Sequence, residues 1–241
     1  MWPAVRDELL RVNRAFYQNL ALSFAATRPR PQPGVVRALA AIPPPAPVLD
    51  AGCGHGLAAM QLARGGHRGP YLGLDSSERF IEMARKRVLT PWAQFHVADL
   101  AEPDWRIRFP AGTDRRFDWL LAFAVLHHLP GDDLRRRVVD DLRSLLSSEG
   151  RALVSVWDFR QSGRMSRRIV PWDALGLIEA EVEPGDALIE WRHEGHGLRY
   201  VHHFTSNGLA DLAQRSGFTV LSEYHSDGEG GRMGLYQVWR A

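Results

Sequence analysis

The sequence predicts an α/β fold: a mostly parallel sheet with helices on both faces, a helical extension before it and an insertion after the fifth strand. Three observations carry this. Val48-Leu49-Asp50-Ala51-Gly52-Cys53-Gly54-His55-Gly56 is a short apolar run that ends in an acid and continues with glycines at every second position. The segment Leu57 to Arg64 that follows is rich in Ala and Leu, so the whole reads as strand, tight turn and helix. Two further apolar runs, Tyr71-Leu72-Gly73-Leu74-Asp75 and Ala93-Gln94-Phe95-His96-Val97-Ala98-Asp99, also close on an acid. Between them Phe80, Ile81, Ala84 and Val88 recur at helical spacing, so strands and helices alternate as a parallel sheet requires.

Taken in order, Leu9, Val12, Phe16, Leu20 and Phe24 predict one amphipathic helix from Arg6 to Ala26. Alternate prolines in Thr27-Arg28-Pro29-Arg30-Pro31-Gln32-Pro33 forbid helix and enforce an extended path, which composition alone reads as a stiff linker. A short helix from Val35 to Ala41 leads to the first strand. After Asp99 a polar connection, Ala101 to Asp114, holds a crossover without a clear helical signal. Phe117 to Phe123 is a buried fourth strand that runs into Ala124-Val125-Leu126-His127-His128-Leu129-Pro130. Asp132 to Leu146 is a covering helix with Leu134, Val138, Val139 and Leu142 inward and Arg135, Arg136 and Arg137 in solvent. Gly150 to Trp157 is the fifth strand, and Asp158 stands at its end. No period holds from Phe159 to Tyr200. A helix then runs from Thr205-Ser206 to Arg215 with Gly217 as its stop, and Phe218 to Tyr224 and Leu235 to Arg240 are the last two strands.

The chain has 241 residues, 45% of them hydrophobic and 24% charged, which suits one soluble domain with an elaboration. Cys53 is the only cysteine, so a disulfide within the chain is excluded and a reducing cytoplasm is the expected setting. In a tight turn it fills space as a small apolar residue, with a reactive thiol as the alternative. No apolar run approaches the length that spans a membrane. The net charge of +2 does not announce a nucleic-acid binder, and the basic residues are nearly all arginine, with Lys86 the single lysine.

The glycine loop carries the chemistry. Gly52, Gly54 and Gly56 lack a Cβ, so a ligand can lie directly on backbone N–H groups at a helix N-terminus. The spacing is neither that of a dinucleotide loop nor that of a P-loop, and no lysine follows to hold a phosphate, so a mononucleoside without a phosphate chain fits. An acid some twenty-odd residues past the loop, Asp75, sits where a carboxylate accepts both ribose hydroxyls. The competing readings are a turn that serves packing alone, and acids that cap helices or sit in solvent.

The loop and its acids resemble the first motif of the class I S-adenosylmethionine-dependent methyltransferases, and the fold implied is their Rossmann-like, seven-stranded sheet. Under that resemblance Asp99 lies beside the adenine. The cofactor-flanking set becomes Arg28, Asp50, Gly52, Cys53, Gly54, Gly56, Asp75, Ser76, Asp99, Leu100, Phe123 and Ala124. The domain divides into a helical lid over 1–45, a cofactor-binding core over 46–157, a substrate-recognition insertion over 158–204, and the final helix and strands over 205–241.

Three more segments are similar to the eukaryotic wobble-uridine tRNA methyltransferases, which esterify 5-carboxymethyluridine. They are Phe24 to Pro33, Gly185-Asp186-Ala187-Leu188-Ile189-Glu190-Trp191 and Arg199-Tyr200-Val201-His202-His203-Phe204. The resemblance makes Thr27, Arg28, Arg199, Tyr200 and His202 flank cofactor or substrate, and it implies a tRNA acceptor and a small activating protein partner. The chain departs from that pattern at Gln32, Glu190, Val201 and Arg232 to Tyr236, which keeps a small-molecule O- or N-methyltransferase and a non-catalytic cofactor-binding protein open as alternatives.

A carboxylate acceptor, with pKa about 4, needs orientation and no base. A phenol, amine or carbon acid needs one, and the candidates are His127, His128, Asp158 and His202, among which the residues do not choose. One of the two adjacent histidines is expected in the pocket wall and the other as a cap or at the surface. Arg28, Arg30, Arg164, Arg167, Arg168, Arg192 and Arg199 either converge at the crevice mouth or scatter. His193, His196, His202 and His203 fit no standard zinc spacing, so no metal is expected.

Overall fold

The computed structural model describes residues 1–108 and 116–241. The chain opens with α1 (Pro3–Asn19), α2 (Ala21–Ala26) and α3 (Pro33–Leu39). Then come β1 (Val48–Ala51), α4 (Leu57–Arg64), β2 (Tyr71–Asp75), α5 (Glu78–Arg87), β3 (Ala93–Val97), β4 (Phe117–Phe123), α6 (Asp132–Arg143) and β5 (Leu146–Trp157). The insertion holds α7 (Gly163–Ser166), β6 (Ile169–Val170), β7 (Asp186–Trp191) and β8 (Gly197–His202). The end consists of α8 (Ser206–Arg215), β9 (Thr219–Ser226) and β10 (Gly234–Arg240).

The main sheet has seven strands in the order β3-β2-β1-β4-β5-β10-β9. Pairing is parallel from β3 through β5, and β10 runs antiparallel to both of its neighbours. The carboxyl ends of five strands and the first residues of β10 therefore share one edge, the crevice where open α/β sheets take ligands. One core layer packs Leu49, Leu72, Leu74, Trp105 and Leu120 under α6 and α8, and the other packs Val48, Tyr71, Ile81, Phe95 and Leu121 under α3, α4 and α5.

Several boundaries differ from the sequence expectation, each for a local reason. The N-terminal helix breaks at Leu20, whose ψ of 17° leaves the helical region. Pro33 does not bar the third helix but starts it, because at the first helical position the missing N–H has no partner to lose. Leu146 belongs to β5 and pairs with Phe117 of β4, so α6 stops at Arg143. Arg135 is buried rather than solvated and donates to the Leu129 carbonyl and to Glu183. The crossover begins as a 3₁₀ turn, Trp105–Arg108, and the rest of that expectation lies outside the described residues.

The insertion is more ordered than its lack of period suggested: β6, β7 and β8 form a three-stranded antiparallel sheet. All six residues of β7 are buried. Leu188 faces Val5, Leu9, Val12 and Trp172, while Ala187 and Ile189 face Trp157, Phe159 and Met165. A strand covered on both faces carries no alternation to read.

Candidate functional site

One pocket of about 320 Å³ lies along the carboxyl edge of the sheet. Asp50, Gly52, Cys53 and Gly54 line it from β1 and its loop, Asp75 and Ser76 from β2, Asp99 and Leu100 after β3, and Phe123 and Ala124 from β4. Arg28 lines it from the N-terminal segment. Gly56 does not: it is the N-cap of α4, at φ 85° against Ala84 and Val88.

The loop's shape follows from its glycines. Gly52 has φ 79°, and a Cβ there would stand 2.3 Å from a Val125 methyl. Gly54 has φ 53°, and its N–H donates to Asp75 Oδ2 at 2.9 Å. Asp75 Oδ1 accepts from Ser77 N at 2.9 Å, so the acid that closes β2 also braces the glycine turn, and each oxygen keeps a second lone pair. Burial raises the Asp75 carboxyl to about 6 against the pull of those two N–H groups. Burial raises Asp50 further, to about 7, although it accepts the Tyr71 hydroxyl. Cys53 is buried and its thiol is pushed well above its usual range by burial, which makes it a filler of the turn.

Two of the pocket residues on α1, Arg14 and Tyr17, belong to no sequence motif. Arg14 Nε donates to Asp99 Oδ2 at 2.6 Å, its Nη2 reaches Glu102 at 2.7 Å, and Asp99 Oδ1 accepts from Ala101 N. The Tyr17 hydroxyl lies 2.7 Å from His128 Nε2, and His128 Nδ1 lies 3.0 Å from the Tyr200 carbonyl. That carbonyl can only accept, so Nδ1 carries the proton and Nε2 takes the tyrosine's. Burial depresses His128 to about 3 and keeps it neutral. The missed signal was a second helical stripe: Leu10, Asn13, Arg14 and Tyr17 face the pocket, while Val5, Leu9, Val12 and Phe16 are buried.

Arg28 apart, of the candidate bases and acceptor-binding residues only His128 lies on the pocket wall; His127, Asp158, Arg199, Tyr200 and His202 do not. His127 is fully buried, its Nδ1 accepting from Trp157 N at 3.3 Å, and His128 takes the place in the wall, so neither histidine is at the surface. Asp158 pairs with His203 at 2.9 Å. The Tyr200 hydroxyl and His202 Nδ1 both meet Asp186 Oδ1 at 2.7 Å. Glu183, Asp186 and His202 stand close enough to share a metal ion, but protein partners already use them: the acids take Asp132 N, Arg135, Glu183 N and Tyr200.

Arg199 is the exception in kind. It is buried behind the wall, its guanidinium over the rings of Phe16, Trp157 and Trp191 at 4.7 to 5.3 Å, and its Nε and Nη1 have no hydrogen-bond partner among the described residues. Arg28 stands over Phe24 at 3.8 Å and donates to the Thr27 hydroxyl. Burial lowers Arg28 to about 10, and the charges of Arg199 and Arg164 push the same way. The arginine set therefore converges in part: the charges of Arg199 and Arg164 act on Arg28, that of Arg168 acts on Arg199, and Arg30 lines the pocket, while Arg192 is exposed and paired with Glu190.

A profile of the methyltransferase-domain family matches residues 24–223. The chain belongs to that family. This methyltransferase is 26% identical over 222 residues to the tRNA (carboxymethyluridine(34)-5-O)-methyltransferase of Schizosaccharomyces pombe, covering 85% of this chain and 87% of that protein. It is 28% identical over 154 residues to a tRNA (carboxymethyluridine(34)-5-O)-methyltransferase of Xenopus tropicalis, a match that spans 63% of this chain and 22% of that protein. Among solved structures, magnesium protoporphyrin IX methyltransferase from Synechocystis, with S-adenosylhomocysteine bound, superposes with a TM-score of 0.65 at 16% identity over 97% of this chain and 99% of that one. The fold is accordingly the Rossmann-like one of the class I S-adenosylmethionine-dependent methyltransferases.

The pocket's donor set suits that cofactor. A bare glycine turn, three carboxylates at successive strand tips and no lysine match a nucleoside that presents a sugar diol, an ammonium and an amino-purine but no phosphate. Gly52 is the sharpest test, since a Cβ there would collide with Val125, which also lines the pocket. No helix is long and apolar enough to cross a membrane among the described residues.

Proposed function

We propose that this methyltransferase esterifies a carboxylate on a modified uridine of tRNA, with Asp50, Asp75, Asp99 and the glycine loop holding S-adenosylmethionine. The observation that carries the carboxylate is the pair Arg28 and Arg199. Among the described residues neither guanidinium faces a carboxylate, although Arg199 is buried, Arg28 is half-buried in the pocket wall, and the charge of Arg199 is felt at Arg28. Burying like charges together without a counterion is costly, and an anionic acceptor supplies the missing charge.

When bound, the cofactor supplies an electrophilic methyl whose leaving group is a neutral thioether. The protein's part is positioning. Arg28 binds and orients the carboxylate from the wall, and Arg199, held by its three rings, strengthens the field from behind. The acceptor oxygen is ionised at neutral pH, so no proton has to leave. That agrees with the residues near it: burial depresses His127 and His128, and neither is poised as a base. Esterification removes the acceptor's charge and with it the attraction of the arginines, which favours release. The N-terminal segment 1–45, carrying Arg14, Tyr17 and Arg28, acts as the lid, and segment 158–204 carries Arg164, Arg168 and Arg199 toward the acceptor. Similarity to the tRNA (carboxymethyluridine(34)-5-O)-methyltransferases of Schizosaccharomyces pombe and Xenopus tropicalis supports tRNA as its carrier.

The test is transfer of labelled methyl from S-adenosylmethionine to bulk tRNA. The expected label is removed by mild alkali, as an ester is, and falls at least tenfold for Arg28→Ala. Label absent from every RNA fraction but present in nuclease-treated metabolite extract would assign the acceptor to small molecules. Binding without turnover on either pool would make the chain a cofactor-binding protein.

A further inference from the structure

The pocket extends past the groups matched to the cofactor. Those groups stand on β1, β2, β3 and the glycine loop, with the tip of β4 beside them. At roughly 4.8 Å per strand the wall continues across β5 and β10. Ser155, Trp157, Met233 and Tyr236 line this part, and Asp227, from the turn before β10, closes it.

Asp227 is a buried carboxylate facing this chamber. Its Oδ1 accepts from Gly34 N at 2.8 Å and its Oδ2 accepts the Tyr236 hydroxyl. It is held at φ 68°, a left-handed conformation that is strained for a residue with a side chain and that concentrates at ligand clamps. A chain of donors ends on it: Ala124 N donates to Ser155 Oγ at 3.2 Å, Ser155 hydrogen-bonds to Tyr236, and Tyr236 donates to Asp227. Every hydroxyl hydrogen in the chain is used, while the carboxylate has about two of its four lone-pair sites left. What the chamber offers is an acceptor. Its sides are flat: the Tyr236 ring stacks on Tyr224 at 4.9 Å and 5° and lies 6.2 Å from Phe123.

We propose that this chamber is the acceptor's ring site, taking a planar nitrogen heterocycle whose ring N–H donates to the Asp227 carboxylate while its anionic arm reaches Arg28. The inference rests on the cofactor placement and the modified-uridine acceptor proposed above, and adds where the ring sits and that Asp227 accepts its N–H. A ring without an N–H leaves Asp227 short of a donor and is disfavoured.

The test uses the whole chain saturated with S-adenosylhomocysteine and titrates two probes, 5-carboxymethyluridine and its N3-methyl derivative. Methylating N3 removes the donor, and a bond to a charged group sets the expected loss of affinity at about tenfold or more. Asp227→Asn weakens the parent nucleoside by a similar factor and the N3-methyl derivative hardly at all, since both changes remove one and the same bond. Should Asp227→Asn no longer bind S-adenosylhomocysteine, the two probes on the unaltered chain still decide. Equal affinities for the two probes, or no binding of either, would overturn the proposal. The tRNA assay is scored apart from this one. Labelled tRNA with no preference between probes removes the ring site alone, and a preference with unlabelled tRNA supports the ring site and removes the tRNA carrier.

Discussion

Gly52 meets two constraints at one position: a φ of 79° that side chains resist, and a Val125 methyl where a Cβ would go. Gly52→Ala should therefore lose S-adenosylhomocysteine binding by calorimetry and lower stability by about 1–3 kcal/mol in urea titration. The acids next to it make the site sensitive to pH. Burial raises Asp75 to about 6 and Asp50 to about 7, so near pH 6 the empty pocket holds part of its protons. A ligand that donates to or pairs with these carboxylates favours them ionised and expels those protons. S-adenosylhomocysteine affinity should then rise from pH 5 to about 7.5 and level off, with proton release visible as a buffer-dependent binding enthalpy. An affinity flat across that range would mean that the carboxylates do not carry the ligand. These residues were legible in the sequence because glycine spacing and strand-end acids are local patterns. Arg14, Tyr17 and Asp227 were not, because what places them is contact between segments far apart in the chain, as with Arg14 on Asp99 and Asp227 on Gly34.

At the scale of elements, α1 works with both faces. One buries Leu9, Val12 and Phe16, and the other presents Arg14 and Tyr17 to the pocket. Between them Asn13 donates to the His128 and Tyr200 carbonyls at 3.0 and 3.1 Å and accepts from Tyr200 N at 2.9 Å, tying the helix to β8 and to the turn after β4. Asn13→Ala strands the His128 carbonyl and Tyr200 N, while the Tyr200 carbonyl keeps His128 Nδ1, and should cost about 1–3 kcal/mol, read as a lower Tm and faster amide exchange along α1. Unchanged exchange in α1 would place the anchor elsewhere. The strands of the main sheet were readable because strand, turn and helix alternate. The sheet of the insertion was hidden because β7 is covered on both faces, and Pro33 misled because position within a helix, not proline itself, decides whether it breaks one.

For the whole molecule, a net charge of +2 conceals a local concentration: Arg28 and Arg30 line the pocket, and the charges of Arg164 and Arg199 are felt at Arg28. If a polyanion carries the acceptor, tRNA affinity should fall steeply with salt, while binding of the nucleoside alone should fall much less. On the proposed reading one ligand lies across the tips of β1, β2 and β3. Amide spectra of the labelled protein titrated with S-adenosylhomocysteine test this most directly. Shifts should concentrate at Gly52, Gly54, Asp75, Ser76 and Leu100 and spare the sheet of β6, β7 and β8, whereas saturating ligand that leaves the glycine-loop amides unmoved would contradict it.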